Sequence, residues 1–236
     1  MDFKKILLGV IVVIILYLVY VYVFKDGTSS TLYSGGNAKN AVQIKATKLP
    51  GNKASVDFTF CIWIYVDNWQ YRYGEEKVIF RRVDANGNAS PMVALGSATN
   101  DLSVSMTVFN ADGKGGATPT QPWQINNIPI QKWCSVIIST NNRAVDTYID
   151  GKLVNTHVLS GVPSMNKAAP VILCPDGGFS GETSKFRYIA RTISPREAYE
   201  IYREGPGGNW LSDLLNQYKL KLSFLKDNEE INSFEI

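Results

Sequence analysis

At 236 residues the chain holds one sizeable domain plus an appendage, and its 19% charged residues fall below the usual quarter. That balance suits an all-β domain with a large core and few solvated helices. The net charge of +3 falls to about +1 once the first 25 residues, with Lys4, Lys5, Lys25 and Asp2, are set aside, which leaves no global field to draw nucleic acid or acidic partners.

Ile6 to Phe24 carries no charge, and its nineteen residues at ~1.5 Å rise span roughly 28 Å, close to the ~30 Å hydrocarbon core of a bilayer. The run is too long for a signal peptide, and no small-residue cleavage site follows it. Continuous β-branched content with no polar face favours lipid over a buried helix. Residues 1–25 therefore read as a retained transmembrane anchor, with membrane lipid as its partner. Tyr17, Tyr20 and Tyr22 crowd one interface, and Lys4 and Lys5 place the N-terminus in the cytosol with the main domain on the opposite side. Residues 26–40, rich in Gly, Ser, Thr and Asn, read as a stalk.

Strand signals follow. Residues 42–49 alternate and stop at the Pro50-Gly51 turn. Phe58, Phe60, Ile62 and Ile64 share one strand face while Cys61, Trp63 and Tyr65 share the other, so both faces of this strand are covered. Residues 69–73 (WQYRY) form the most aromatic loop of the chain. Residues 77–83 and 91–95 flank a hairpin turn at 84–88. Residues 102–109 alternate as one strand, and 111–121 are a polar, Gly-rich loop. Residues 131–159 form the central double hairpin. Val136 and Ile138 alternate with Ser135 and Ser139, Asn141-Asn142 turns the chain, and Val145, Thr147 and Ile149 alternate again. Asp150-Gly151 then makes a type I′ turn, in which Gly151 takes the positive φ required. After a strand at 171–174, Ser194, Pro195 and Glu197 form a capping box that starts a helix ending near Glu204, with Gly205 as its cap. In the tail, 210–217 suggest a short helix, and 218–236 an added hairpin on a sheet edge or against a neighbour.

Three blocks carry a family resemblance. They are DFTFCIWIYV at 57–66; a strand opened by Trp133 and followed by YIDGKLV at 148–154; and Gly-Phe-Ser-Gly at 178–181 with Phe186-Arg-Tyr-Ile and ISPREAYEIY at 193–202. In this order, over residues 41–205, they resemble the laminin-G-like domains of the concanavalin A-like lectin/glucanase superfamily. The resemblance implies a two-sheet antiparallel jelly-roll sandwich with one short helix, carrying 206–236 as a C-terminal extension. It says little about activity, because function lives in sites grafted on such folds.

Glucanases of such a superfamily need paired carboxyls, about 5–5.5 Å apart for retention and about 6.5–9.5 Å for inversion. No Glu-x-Asp-x-Glu cluster is present. Asp146 and Asp150 lie ~13 Å apart along a strand, and Glu75 and Glu76 point to opposite faces. A glycoside hydrolase is thus a remote alternative, and no enzyme activity is expected. His157, the single histidine, reads as a strand-end surface residue. Asp84, Asn86 and Asn88 are spaced like the start of a calcium loop, but Gly87 falls too early and no Glu closes it, so a hairpin turn is the reading. The sequon at Asn88 reads as an unmodified turn. No metal or cofactor is expected. Cys61, Cys134 and Cys174 sit in strand-like runs and read as buried thiols, a Cys134–Cys174 disulfide being the lesser reading.

Lectin-like binding would use exposed aromatics that stack on sugar faces, with polar side chains beside them. Trp69, Tyr71, Arg72 and Tyr73 fit best, and Trp123 second; the plainer reading packs them under loops or against a protein. Two functions follow. One is a membrane-anchored recognition or adhesion module that binds glycan or protein. The other is a structural protein that ties a membrane to a protein shell. In architecture the chain resembles single-anchor proteins encoded by large DNA viruses, which implies a virion membrane and capsid or shell proteins as partners.

Overall fold

A computed structural model describes residues 12–13, 15–17, 27–51, 57–110, 116–164, 168–207, 221–226 and 229–235. Its strands, in chain order, are β1 (Ser29–Asn37), β2 (Val42–Ile44), β3 (Phe58–Asn68), β4 (Lys77–Val83), β5 (Ala89–Leu95), β6 (Leu102–Ser105), β7 (Thr107–Phe109), β8 (Ala117–Pro119), β9 (Trp123–Ile125), β10 (Trp133–Asn141), β11 (Ala144–Ile149), β12 (Lys152–Val158), β13 (Val171–Leu173), β14 (Ser180–Ile189), β15 (Lys221–Lys226) and β16 (Glu229–Glu235). The helix α1 (Pro195–Arg203) follows β14.

Two six-stranded sheets form the sandwich: β1-β14-β3-β10-β11-β12 and β2-β13-β4-β5-β6-β9. The paired strands in both run antiparallel. The core lies between them. Phe58, Phe60, Ile62, Ile64 and Val66 enter it from β3, Val136 and Ile138 from β10, and Ile79, Phe80, Val93 and Leu95 from the opposite sheet. Phe60, Phe80 and Phe186 meet with ring centroids 5.2–5.7 Å apart. Alternation on each strand therefore does what a two-sheet core needs.

The apolar outer face of β3 is explained by α1. Ile193, Ala198 and Ile201 pack on Cys61, Ile137, Tyr148 and Ile189 to form a second buried cluster. Tyr202 stacks on Trp63 at 5.6 Å. Asp150 and Gly151 both take positive φ, 49° and 74°, as the type I′ turn requires. A Cβ on Gly151 would lie 2.8 Å from Cβ of Tyr202, so the same glycine lets α1 approach the hairpin.

The sandwich starts earlier than expected. Ser29–Asn37, in the stretch read as stalk, is the edge strand β1, paired with β14. Its polar, glycine-containing sequence hides it, because an edge strand needs backbone partners more than an apolar face. Only Leu32 and Tyr33 of β1 reach the core. The strand expected over 102–109 breaks at Met106 into β6 and β7, and β7 pairs with β8, drawn from the expected loop. At the C-terminus β15 and β16, among the described residues, pair only with each other as a two-stranded sheet, around the expected turn. The helix expected over 210–217 lies outside the described residues, as does most of Ile6 to Phe24. Val12, Val13 and Ile15–Tyr17 of the latter are helical and exposed. Among the described residues no helix is long and apolar enough to cross a membrane.

Candidate ligand-binding cleft

Register builds the site. On the outer face of the first sheet, Asn37 of β1 pairs with Glu182 of β14, Glu182 with Tyr65 of β3, and Tyr65 with Trp133 of β10. Four strands thus contribute one cross-strand row. The next outward row, through Ser184, Trp63 and Ser135, lies under α1 by way of Tyr202. The helix leaves the Tyr65 row uncovered. A cleft of about 440 Å³ opens there, flanked by Lys39, Asp67 and Ser180-Gly181. Its floor is aromatic: Tyr65 and Trp133 are half-buried, with centroids 5.7 Å apart and planes tilted by 55°.

Gly181 makes this approach possible. The β14 register shifts between Ser180 and Gly181, and a Cβ at Gly181 would sit 1.8 Å from the Tyr65 carbonyl oxygen. Asn37 Oδ1 accepts the Lys39 backbone N–H at 2.8 Å, which leaves its amide nitrogen free to donate. Lys39 Nζ lies 4.6 Å from the centre of the Tyr71 ring. The exposed Glu182 and Asp67 carboxylates make no hydrogen bond or ion pair within the described residues.

The aromatic loop meets this cleft through Tyr71, beneath Lys39, and is held to neighbouring loops by named contacts. The half-buried Trp69 donates its indole N–H to Ala98 O at 3.2 Å, and Lys77 Nζ sits 4.6 Å over its ring. Lys77 is almost fully buried and faces the carbonyls of Glu75, Gly96 and Ser97. Burial, and then the Arg72 charge, push its ammonium below the ordinary lysine range. Tyr71 donates to Gly177 O at 3.0 Å, and Arg72 Nη1 to Gly178 O at 3.2 Å. Tyr73 stays exposed. Trp123 lies apart, buried on β9 with its ring stacked on His157 at 4.2 Å. The structure thus ties Trp69, Tyr71 and Arg72 to carbonyls of neighbouring loops, sets Tyr71 under Lys39 of the cleft, and leaves Trp123 at a sheet edge.

Asn37, Tyr65, Trp133 and Glu182 were not singled out from the sequence. Two signals pointed to them: the outward alternation Cys61, Trp63, Tyr65, Asp67, and a tryptophan at the first position of a strand. The acids considered for chemistry are otherwise engaged. Asp84 caps its hairpin turn, and bonds from Asn88, and then Asn86, hold its carboxyl below the usual range. Asp146 accepts the Thr156 hydroxyl at 2.6 Å, and Asp150 accepts the Ser135 N–H at 2.9 Å.

A family model described as the concanavalin A-like lectin/glucanases superfamily matches residues 22–198. Among solved structures, the chain is similar to the receptor binding domain of botulinum neurotoxin D. Identity is 12%, with a TM-score of 0.53, over 75% of this chain and 43% of that one. It is also similar to the binding domain of botulinum neurotoxin DC in complex with SialylT, at 18% identity and a TM-score of 0.52, over 70% of this chain and 39% of that one. A third is the botulinum neurotoxin serotype D ligand binding domain in complex with N-acetylneuraminic acid, at 12% identity and a TM-score of 0.50, over 75% and 42%. The likeness is one of fold, and the chain spans about two-fifths of the length of those structures. No curated protein matches the sequence.

Proposed function

The chain belongs to the concanavalin A-like lectin/glucanases superfamily, and on that footing we propose that it is a non-enzymatic recognition module that binds glycan through the Tyr65–Trp133 cleft. The observation that carries this reading is the row itself: two aromatic rings beside carboxylate, amide and ammonium groups that the fold leaves available. Aromatic faces with convergent polar groups are what sugar sites use. Two similar structures hold a SialylT or N-acetylneuraminic acid ligand on the same fold. Against hydrolysis, the paired acids considered for it, Asp146 and Asp150, are engaged by the Thr156 hydroxyl and the Ser135 N–H.

In this reading Ile6 to Phe24 anchors the module in a membrane, its N-terminus cytosolic and its sandwich on the opposite side. The loop at 69–73 supports the cleft through Tyr71, which lies under Lys39. A glycan array probed with the full-length chain in detergent tests the function. Binding that falls at least about tenfold in Trp133→Ala supports the reading, and an array with no bound sugar overturns it.

The separate C-terminal sheet favours a second reading. An isolated two-stranded hairpin is marginal in water, so β15 and β16 call for a covering surface. A shell protein docked there would make the chain a structural link between membrane and shell. Fractionation separates the two: co-purification with particles, without glycan binding, selects the structural role.

A further inference from the structure

Resting on the glycan reading of the cleft, we propose that its ligand is an uncharged sugar, and that the cleft selects against sialylated glycans. The charges decide this. Glu182 and Asp67 present two unpartnered carboxylates, and Lys39 one ammonium, around the Tyr65–Trp133 floor. A ligand carboxylate would meet two like charges against one opposite charge, and a net repulsion of one such contact at ~4 Å lowers affinity about fivefold even in water. A ligand cation would be drawn by the two carboxylates but repelled by Lys39, whose Nζ lies over the Tyr71 ring. A neutral polyol faces neither penalty. Its hydroxyls donate to Glu182 and Asp67 and accept from the Asn37 amide, the Lys39 ammonium and the Trp133 indole N–H. One of its apolar faces lies on the tilted rings. The volume of about 440 Å³ falls in the range of small-ligand sites, about 300–1,000 Å³.

The registry explains why these groups act together. Glu182, Tyr65 and Trp133 are direct cross-strand neighbours, and Asp67 lies two residues beyond Tyr65 on the same face of β3. One acceptor thus stands beside Tyr65 across the strands and another beyond it along β3, and a sugar stacked there can reach both.

The test uses the full-length chain in detergent, with lactose and sialylated lactose as a matched pair and a lysine-rich peptide as a cationic probe. Lactose is expected to bind about fivefold more tightly than its sialylated form. Glu182→Gln is expected to weaken lactose and strengthen the sialylated sugar. Trp133→Phe should retain lactose binding that Trp133→Ala loses, with circular dichroism confirming that both variants fold. Sialylated lactose bound as tightly as lactose, and lost in Trp133→Ala, overturns the charge selection while leaving the glycan reading intact. Peptide binding lost in Trp133→Ala, with no sugar bound, shows a cation site and overturns both. Lactose binding that survives Trp133→Ala and Tyr65→Ala places the sugar elsewhere and overturns the site. No binding of any probe overturns the glycan reading, and this inference with it.

Discussion

Gly181 shows how much one missing methyl group decides. The Tyr65 carbonyl oxygen lies where its Cβ would be, at 1.8 Å, and both partners are backbone, so no side chain can swing away. Gly181→Ala is expected to cost about 2–4 kcal/mol in chemical denaturation and to open the cleft floor. A variant with unchanged stability would show that β14 can slide past β3. The cysteines give a second residue-scale prediction. Cys61, Cys134 and Cys174 are free, buried, and pushed by burial up to about 12. Native protein should therefore resist alkylation near pH 8 and react only after unfolding. The same shifts set the alkaline limit. An exposed thiol in the unfolded chain loses its proton near 9 while the folded thiol keeps it to about 12. Stability is therefore full below pH ~9 and falls as pH rises through that window, by up to about 1.4 kcal/mol per pH unit for each thiol. Denaturation midpoints measured from pH 7 to pH 11 test this, and a flat profile contradicts it.

At the level of elements, α1 was legible and β1 was not. Ser194, Pro195, Glu197 and Gly205 mark the ends of α1 by local chemistry, and the structure has Ser194 Oγ accepting the Glu197 N–H. No such local mark exists for β1, whose sequence SSTLYSGGN reads as linker and whose partner, β14, lies about 150 residues away. The cleft was hidden for the same reason. Alternation on β3 showed that Trp63, Tyr65 and Asp67 share a face, but only the registers with β10 and β14 reveal that α1 covers Trp63 and stops short of Tyr65. The exposed-looking loop at 69–73 drew attention instead, and its rings and guanidinium prove tied to carbonyls of neighbouring loops. The helix carries its own prediction. Ile201 is 7% exposed within the second cluster, so Ile201→Ala should lower stability by about 2–4 kcal/mol. The loss should be matched by greater fluorescence change of Trp63 as Tyr202 loosens, and a cost under about 0.5 kcal/mol would mean that α1 is an ornament on the sheet.

At the scale of the whole molecule, neither six-stranded sheet takes a strand from the tail among the described residues, where β15 pairs with β16 alone. Deleting residues 218–236 is expected to leave a folded, strand-rich domain with a denaturation midpoint close to that of the full chain; unfolding or aggregation would make the tail part of the core. The edge strand β1 has a different consequence. It begins at Ser29, with four residues between it and the end of the apolar run at Phe24, and finishes at Asn37 in the cleft. Eight steps at ~3.3 Å separate those ends by about 26 Å along one stiff sheet. An anchored chain would therefore hold its attachment and its cleft at opposite poles of the sandwich, on too short a leash to turn over. What the cleft touches would then belong to the surface across the gap: contact in trans, between two membranes or a membrane and a particle, with lipids of its own bilayer out of reach.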